Sequence, residues 1–264
     1  MKKTLSLLLL SLLLPLSSCV SSKKVQTNEL PFAKVYTAAW MQRSAEYEAL
    51  CYQAFNGARF YLQQSLELQQ EDSKPLAIVT DIDETVLDNS PNAVHLGLQG
   101  KLFEPDAWTQ WCDMAAADTV PGALMFLKEA SAAGVEIFYI SNRKEREREG
   151  TLRNLQNFGF PNADNRHLIL KSDTSNKDER RAKVLEEYEV IIYMGDQLTD
   201  FPGYNHMSEV ERSAQAIVDT PYFGGHFILL PNPNYGEWES ALFNFRRLSP
   251  EEQTQVIKST AKGY

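Results

Sequence analysis

Four groups of polar residues can do chemistry, and each follows a stretch that reads as a β-strand. Asp81-Ile82-Asp83-Glu84-Thr85 sets two carboxylates two residues apart, Ser141-Asn142-Arg143 offers a hydroxyl and an amide, Lys177 brings an ammonium group, and Gly195-Asp196 is followed by Asp200. Clustered carboxylates are ligands for hard divalent cations such as Mg²⁺. A carboxylate can also act as a nucleophile or as a general acid and base. A lysine neutralises charge on an oxyanion. An Asp-X-Asp pair alone would equally suit a metal-dependent glycosyltransferase, but that chemistry leaves Lys177 and Asp196 without a task. Each residue also has a plainer use: Ser141 as the N-cap of a helix from Lys144, Lys177 as a solvated helix residue, Asp200 before Phe201-Pro202 as the start of a turn. Their common position after strands favours chemistry.

The elements that must position these groups alternate. Leu76 to Thr80, Val135 to Ile140, Leu168 to Leu170, Val190 to Met194 and Phe227 to Leu230 are short apolar or β-branched runs, the pattern of buried parallel strands. Between them lie helical spacings: Pro121 to Gly134, a highly charged segment from Lys144 to Phe158, and Asn176 to Tyr188. Ala38 to Gln70 reads as an N-terminal helical region that packs on the sheet. Val94 to Asp118 reads as aromatic and irregular, and Ser249-Pro250-Glu251-Glu252 as the capping box of a last helix. The expected fold is α/β, a Rossmann-like parallel sheet flanked by helices with a smaller, mainly helical cap. In such sheets chemistry sits beyond the carboxyl ends of the strands, where all four groups fall.

In that order the groups resemble the motifs of the haloacid-dehalogenase superfamily of phosphohydrolases. The run from Ile82 to Pro91, Ser175-Asn176-Lys177 with Arg180 and Arg181, Gly195-Asp196-Gln197-Leu198-Thr199-Asp200-Phe201 and Pro231-Asn232-Pro233-Asn234-Tyr235-Gly236-Glu237-Trp238 resemble the class C acid phosphatases, bacterial outer-membrane lipoproteins with nucleotidase activity. The resemblance implies a Mg²⁺-dependent acid phosphatase acting on nucleoside 5′-monophosphates and other small phosphomonoesters, with one Mg²⁺ per chain. Asp81 would be the nucleophile that forms an aspartyl-phosphate and Asp83 the general acid and base. Asp81, Asp196 and the backbone carbonyl of Asp83 would hold the metal, with Asp200 supporting it. Ser141 and Lys177 would bind the phosphoryl group. Asn142, Trp108, Trp111 and Tyr235 are the candidates for substrate contact, the aromatics as platforms for a base. Cap elements are expected within residues 33–72, 90–118 and 200–225 of a phosphatase domain spanning 33–264. The same aspartyl-phosphate would serve a phosphotransferase. A surface lipoprotein that captures a ligand such as haem is the alternative from another class, but His95, His167, His206 and His226 show no metal-ligand spacing.

Lys2 and Lys3, the apolar run Leu5 to Leu16 and then Ser17-Ser18-Cys19 describe a secretory signal over residues 1–18, too short to span a bilayer. Leu16-Ser17-Ser18-Cys19 also resembles a bacterial lipobox. Cys19 is therefore the expected lipidation site, residues 19–32 a tether, and the outer membrane the expected location. Cys51 and Cys112 are expected to be free or buried rather than bridged. The 264 residues suffice for one full domain. A net charge of −9 argues against a nucleic acid polymer as partner, so an anionic substrate must be met by local cations or a metal. Arg143 to Arg153 is interleaved with Glu and reads as a solvated, salt-bridged face. A homodimer is left open.

Overall fold

The computed structural model describes residues 29–264; the expected signal segment 1–18, the expected lipidation site Cys19 and the expected tether through residue 28 lie outside the described residues. Helix α1 (Glu29–Arg43) begins inside the expected tether, and Leu30 and Pro31 are buried in its first turn. Glu29 to Phe32, expected as part of the tether, are therefore helical. Ser44 ends α1 and starts α2 (Ala45–Leu68), its Oγ accepting the Tyr47 N–H at 3.1 Å. A serine at this position caps the new helix instead of continuing the old one, so the helical region expected over 38–70 is built from two helices.

Strand β1 (Leu76–Thr80) is buried throughout. It is followed by β2 (Leu87–Asp88), α3 (Ser90–Leu98), α4 (Pro105–Met114), β3 (Asp118–Thr119) and α5 (Ala123–Ala132). Residues 94–118 are thus largely helical and not irregular. The Glu104 side chain caps α4 by accepting the Ala107 N–H at 3.2 Å, and Pro105 opens its first turn. Then come β4 (Glu136–Lys144), α6 (Arg148–Phe158), β5 (Leu168–Lys171), α7 (Asp178–Glu187), β6 (Glu189–Gly195), α8 (Glu209–Val218), β7 (Phe227–Leu229), α9 (Glu237–Leu242) and α10 (Pro250–Thr260). The charged segment expected as one helix from Lys144 is the end of β4, a 3₁₀ turn over Glu145–Glu147, and α6. The capping box at Ser249 forms as expected.

The main sheet runs β5-β4-β1-β6-β7, and every pair is parallel; β2 and β3 make a small antiparallel ribbon. Along β1 the side chains alternate between two cores, as a strand period of two requires. Ile78 meets Phe55, Phe126 and Ile137 on the face covered by α2 and α5. Ala77 and Val79 face Phe138, Val184 and Tyr193 on the side covered by α7. Helix α2 is thus a layer helix on the sheet, as its apolar spacing suggests, whereas α1 packs chiefly on α3. Cys51 and Cys112 are both buried and free.

The winding reverses at β1: the chain goes outward through β4 and β5, then returns to β6 on the other side. A crevice forms beyond the strand ends at such a switch point. There the β4–β5 register shifts between Ile140 and Lys144. The irregular stretch is Ser141-Asn142-Arg143, one of the four groups singled out by residue type.

Candidate active site

Asp81 leaves the end of β1 with its N–H donated to the Met194 carbonyl of β6 at 2.9 Å, which fixes its backbone between the two central strands. Its carboxylate is 8% exposed and accepts a hydrogen bond from Lys177 Nζ. Lys177 stands just before α7, and its ammonium also pairs with Asp200 Oδ1 at 2.7 Å. Asp81, Asp196 and Asp200 each bring a carboxylate oxygen within 4.8 Å of the others. Asp200 reaches this place because residue 195 is glycine: a Cβ there would lie 2.2 Å from Asp200 Cβ. The other Asp200 oxygen, Oδ2, accepts the Gln197 N–H at 3.0 Å.

Charge in this cluster is only partly balanced. Burial pushes the Asp81 carboxyl up to about 7 against the pull of Lys177, and the charges of Asp200 and Asp83 add to the rise. Burial raises Asp196 well above the carboxylate range, with Asp200 and Asp81 reinforcing it. Burial opposes the Lys177 ammonium, yet Asp200 and Asp81 outweigh it and hold the proton more tightly than in free lysine. With all three carboxylates ionised, the one ammonium would leave two negative charges uncompensated. All-oxygen donors with that surplus fit a hard divalent cation.

Asp83 lies apart from this trio. Its Oδ1 accepts from Arg143 Nε at 3.0 Å, from a second Arg143 nitrogen at 2.8 Å and from Asn89 Nδ2 at 2.8 Å. The Asp83 side chain is therefore taken up by Arg143 and Asn89 and is not one of the trio. Arg143 is buried, also bonds Thr151, and lies 5.4 Å from the centre of the Trp108 ring. This corrects the reading of the 143–153 cluster as a solvated face. Arg148 does pair with Glu145 at the surface, but Arg143 belongs to the site. Ser141 is not a helix cap either: its Oγ accepts the Arg143 N–H at 3.1 Å and lies 3.4 Å from Asp83 Oδ2. Asn142 is exposed, with Oδ1 accepting from Arg180 at 2.7 Å.

Two loops close the far side. Asp196 Oδ2 accepts from Gln197 Nε2 at 2.6 Å and Asn232 Nδ2 at 2.7 Å. Gln197 also bonds the Tyr235 carbonyl and the Glu237 N–H, and Gly236, at φ +148°, lies so close that a Cβ would sit 1.9 Å from Gln197 Oε1. Glu84 is buried in the left-handed region at φ 58°, a conformation that costs roughly 1–2 kcal/mol. Its carboxylate accepts the Tyr235 hydroxyl and, at 2.8 Å, the Asn89 N–H. Burial raises its pKa well above the carboxylate range, helped by the charges of Asp83 and Asp196.

The structure therefore gathers Asp81, Asp83, Ser141, Lys177, Asp196 and Asp200 at one sheet edge. Tyr235 joins them through Glu84, and Trp111 through its indole N–H on Asn89 Oδ1 at 2.8 Å. Trp108 stands at Arg143. Sequence reasoning passed over Arg143, Asn89, Glu84, Gln197 and Asn232. All five lie in or beside the runs that carry the motifs, and that adjacency was the available signal. The four histidines lie elsewhere: His167 pairs with Asp164 and Glu136, His226 bonds the Ile191 carbonyl, His95 meets Gln99, and His206 stacks on Phe245.

Known proteins share this arrangement to different extents. The tomato (Solanum lycopersicum) acid phosphatase 1 is 31% identical over 133 residues, 47% of this chain and 51% of that protein. Arabidopsis thaliana vegetative storage protein 2 is 27% identical over 165 residues, 60% of this chain and 55% of that protein. The chain thus spans about half the length of the curated relatives it matches. The class C acid phosphatase from Bacillus anthracis superposes with a TM-score of 0.86 at 35% identity, over 89% of this chain and 99% of that one. A family profile for the haloacid-dehalogenase (HAD) superfamily, subfamily IIIB (acid phosphatase), matches residues 6–238. Since that match and the near-complete superposition both take in the strand-end carboxylates, the chain belongs to subfamily IIIB of the HAD superfamily, the acid phosphatases.

Proposed function

We propose that this chain is a Mg²⁺-dependent acid phosphatase that hydrolyses small phosphomonoesters, nucleoside 5′-monophosphates among them, through an aspartyl-phosphate on Asp81. The observation that carries the reading is the buried Asp81 carboxylate, bonded by Lys177 and faced by Asp196 and Asp200. The Bacillus anthracis relative also has a structure with tungstate bound, and tungstate is a tetrahedral oxyanion like phosphate. A divalent cation on Asp81, Asp196 and the Asp83 carbonyl, supported by Asp200, would offset the repulsion between a carboxylate and a phosphate dianion.

The protein's own groups do the rest. An Asp81 oxygen attacks phosphorus, the bond to the leaving oxygen breaks, and Asp83 gives that oxygen its proton. Water then attacks the phosphorus, Asp83 takes the water's proton, and the bond to Asp81 breaks to release phosphate. Lys177 offsets charge on Asp81 and the transferred group. The Ser141 hydroxyl receives the Arg143 N–H and donates to Asp83 Oδ2 at 3.4 Å, and would turn its proton to a phosphoryl oxygen when substrate is bound. Tyr235 and Trp108 are the aromatics that would meet a base. A lipid on Cys19 would hold the enzyme at the bacterial outer membrane.

The test is phosphate release from a nucleoside monophosphate by the soluble chain that begins after Cys19. We expect release with Mg²⁺, none in EDTA, and recovery when Mg²⁺ is returned. No release under any of these conditions from a folded protein would end the reading. The Mg²⁺ requirement should also depend on pH. Metal binding needs Asp81 ionised, and its pKa without metal is about 7. The half-activating Mg²⁺ concentration should therefore be nearly flat above neutrality and rise about tenfold per pH unit below it, more steeply if Asp196 also gives up a proton. A flat profile down to pH 5 would contradict it.

Arg143 supplies another test. Lysine keeps the charge but cannot make the fork that holds Asp83 while bonding Thr151. In Arg143→Lys we expect kcat to fall by about 10²-fold, the scale of a misplaced catalytic group, with a normal circular dichroism spectrum. An unchanged kcat would remove Arg143 from the machinery.

A further inference from the structure

We propose that Asn234 is a positioning residue that transmits the hold of helix α1 to the Asp196 carboxylate, which makes the N-terminal helix part of the metal site's frame. The inference rests on the reading of Asp196 as a metal ligand. It starts from how Asp196 is kept in place. Asp196 Oδ2 is bonded by its neighbour Gln197 and by Asn232 Nδ2 at 2.7 Å, the latter from the loop after β7. That loop, Pro231-Asn232-Pro233-Asn234, has two residues without an N–H, so sheet-like pairing cannot hold it. Its order must come from side chains.

Those side chains form a relay. Asn232 Oδ1 accepts the Asn234 N–H at 2.8 Å and the Tyr235 N–H at 3.4 Å, so its amide nitrogen is turned toward Asp196. Asn234 is 4% exposed, and its own amide donates to two atoms of α1, the Lys34 carbonyl at 2.9 Å and Thr37 Oγ1 at 3.0 Å. Lys34 answers in the other direction: its Nζ donates to the Asn234 carbonyl and pairs with Glu239 of α9 at 2.6 Å. The hydrogen bonds thus run unbroken from α1 through Asn234 and Asn232 to Asp196. The buried Asn234 fixes the loop, the half-buried Asn232 amide held by it has one orientation, and the carboxylate that amide aims at keeps one rotamer. Partners that orient a ligand in this way typically change metal affinity about 10–100-fold when removed.

The experiment compares wild type, Asn234→Ala and Thr37→Val by Mg²⁺ titration, following both the half-activating concentration and the Mg²⁺-induced rise in Tm. We expect Asn234→Ala to weaken Mg²⁺ about tenfold while kcat recovers at saturating Mg²⁺. Thr37→Val should show a smaller loss in the same direction and, as a substitution on a helix surface, remains informative if Asn234→Ala does not fold. A role in folding alone would lower Tm in EDTA and leave the Mg²⁺ constants untouched. Unchanged constants in the folded variants would overturn the proposal while the metal reading stands. A wild type that shows no response to Mg²⁺ would overturn both.

Discussion

Asp81→Asn should release phosphate on the order of 10⁴-fold or more slowly than wild type, and its metal-free form should melt at a higher temperature than metal-free wild type. The first effect follows because an amide cannot form the aspartyl-phosphate. The second follows from linkage. The carboxyl titrates near the ordinary value of 3.8 when unfolded and is pushed up to about 7 by burial when folded. A folded state that holds its proton more tightly is favoured at low pH and loses that advantage as pH rises from about 4 to 7. Above 7 the ionised Asp81 works against folding, and Asn removes that penalty while Lys177 keeps Asp200. Near pH 8 in EDTA we expect a rise of roughly 2–8 °C, the scale for one to two kcal/mol in a domain of this size. At pH 4 the difference should nearly vanish. Scanning calorimetry in EDTA at both pH values checks this, and a variant that melts lower at pH 8 would contradict the charge assignment. Retained phosphatase activity would remove Asp81 as nucleophile.

Lys177→Met should have the opposite stability effect. It removes the ammonium shared by Asp81 and Asp200 and leaves buried carboxylates facing each other. Breaking a buried pair from one side costs about 3–5 kcal/mol, or roughly 6–20 °C in Tm. Mg²⁺ should restore part of this loss because it replaces the missing positive charge. Activity should stay about 10²–10³-fold below wild type even in saturating Mg²⁺, since Lys177 also meets charge on the transferred group. Thermal melts with and without Mg²⁺, paired with single-turnover kinetics, separate the two effects. A metal-free melt equal to wild type would show that Lys177 is not the counter-charge.

The two variants pull stability in opposite directions because the site concentrates like charges, and this much could be read from residue types. Asp81 followed an apolar run, and a parallel strand must end at its carboxyl edge, so β1 and its acid were legible together. The same held for Asp196 after β6 and Lys177 before α7. What escaped depended on partners far along the chain. Arg143 lies among glutamates at helical spacing, and only the continuation of β4 past Ile140 turns it inward to Asp83. Glu84 directly follows Asp83, but its hydroxyl partner is 151 residues away. Helix α4 was hidden because its cap is a glutamate, a less common choice than serine or aspartate. The boundary between α1 and α2 rests on one serine in an otherwise periodic stretch.

The central place of β1 also governs the order in which the protein can be made. Ala77 pairs with Val190, about 110 residues later, and with Glu136 on its other side. A growing chain therefore carries a largely apolar strand with an open edge until most of the sequence has been synthesised. Long-range parallel pairing of this kind is slow and exposes sticky surface in the interval. Asp196 and Asp200 meet Asp81 only when β6 arrives, so this crowding of acids is assembled late.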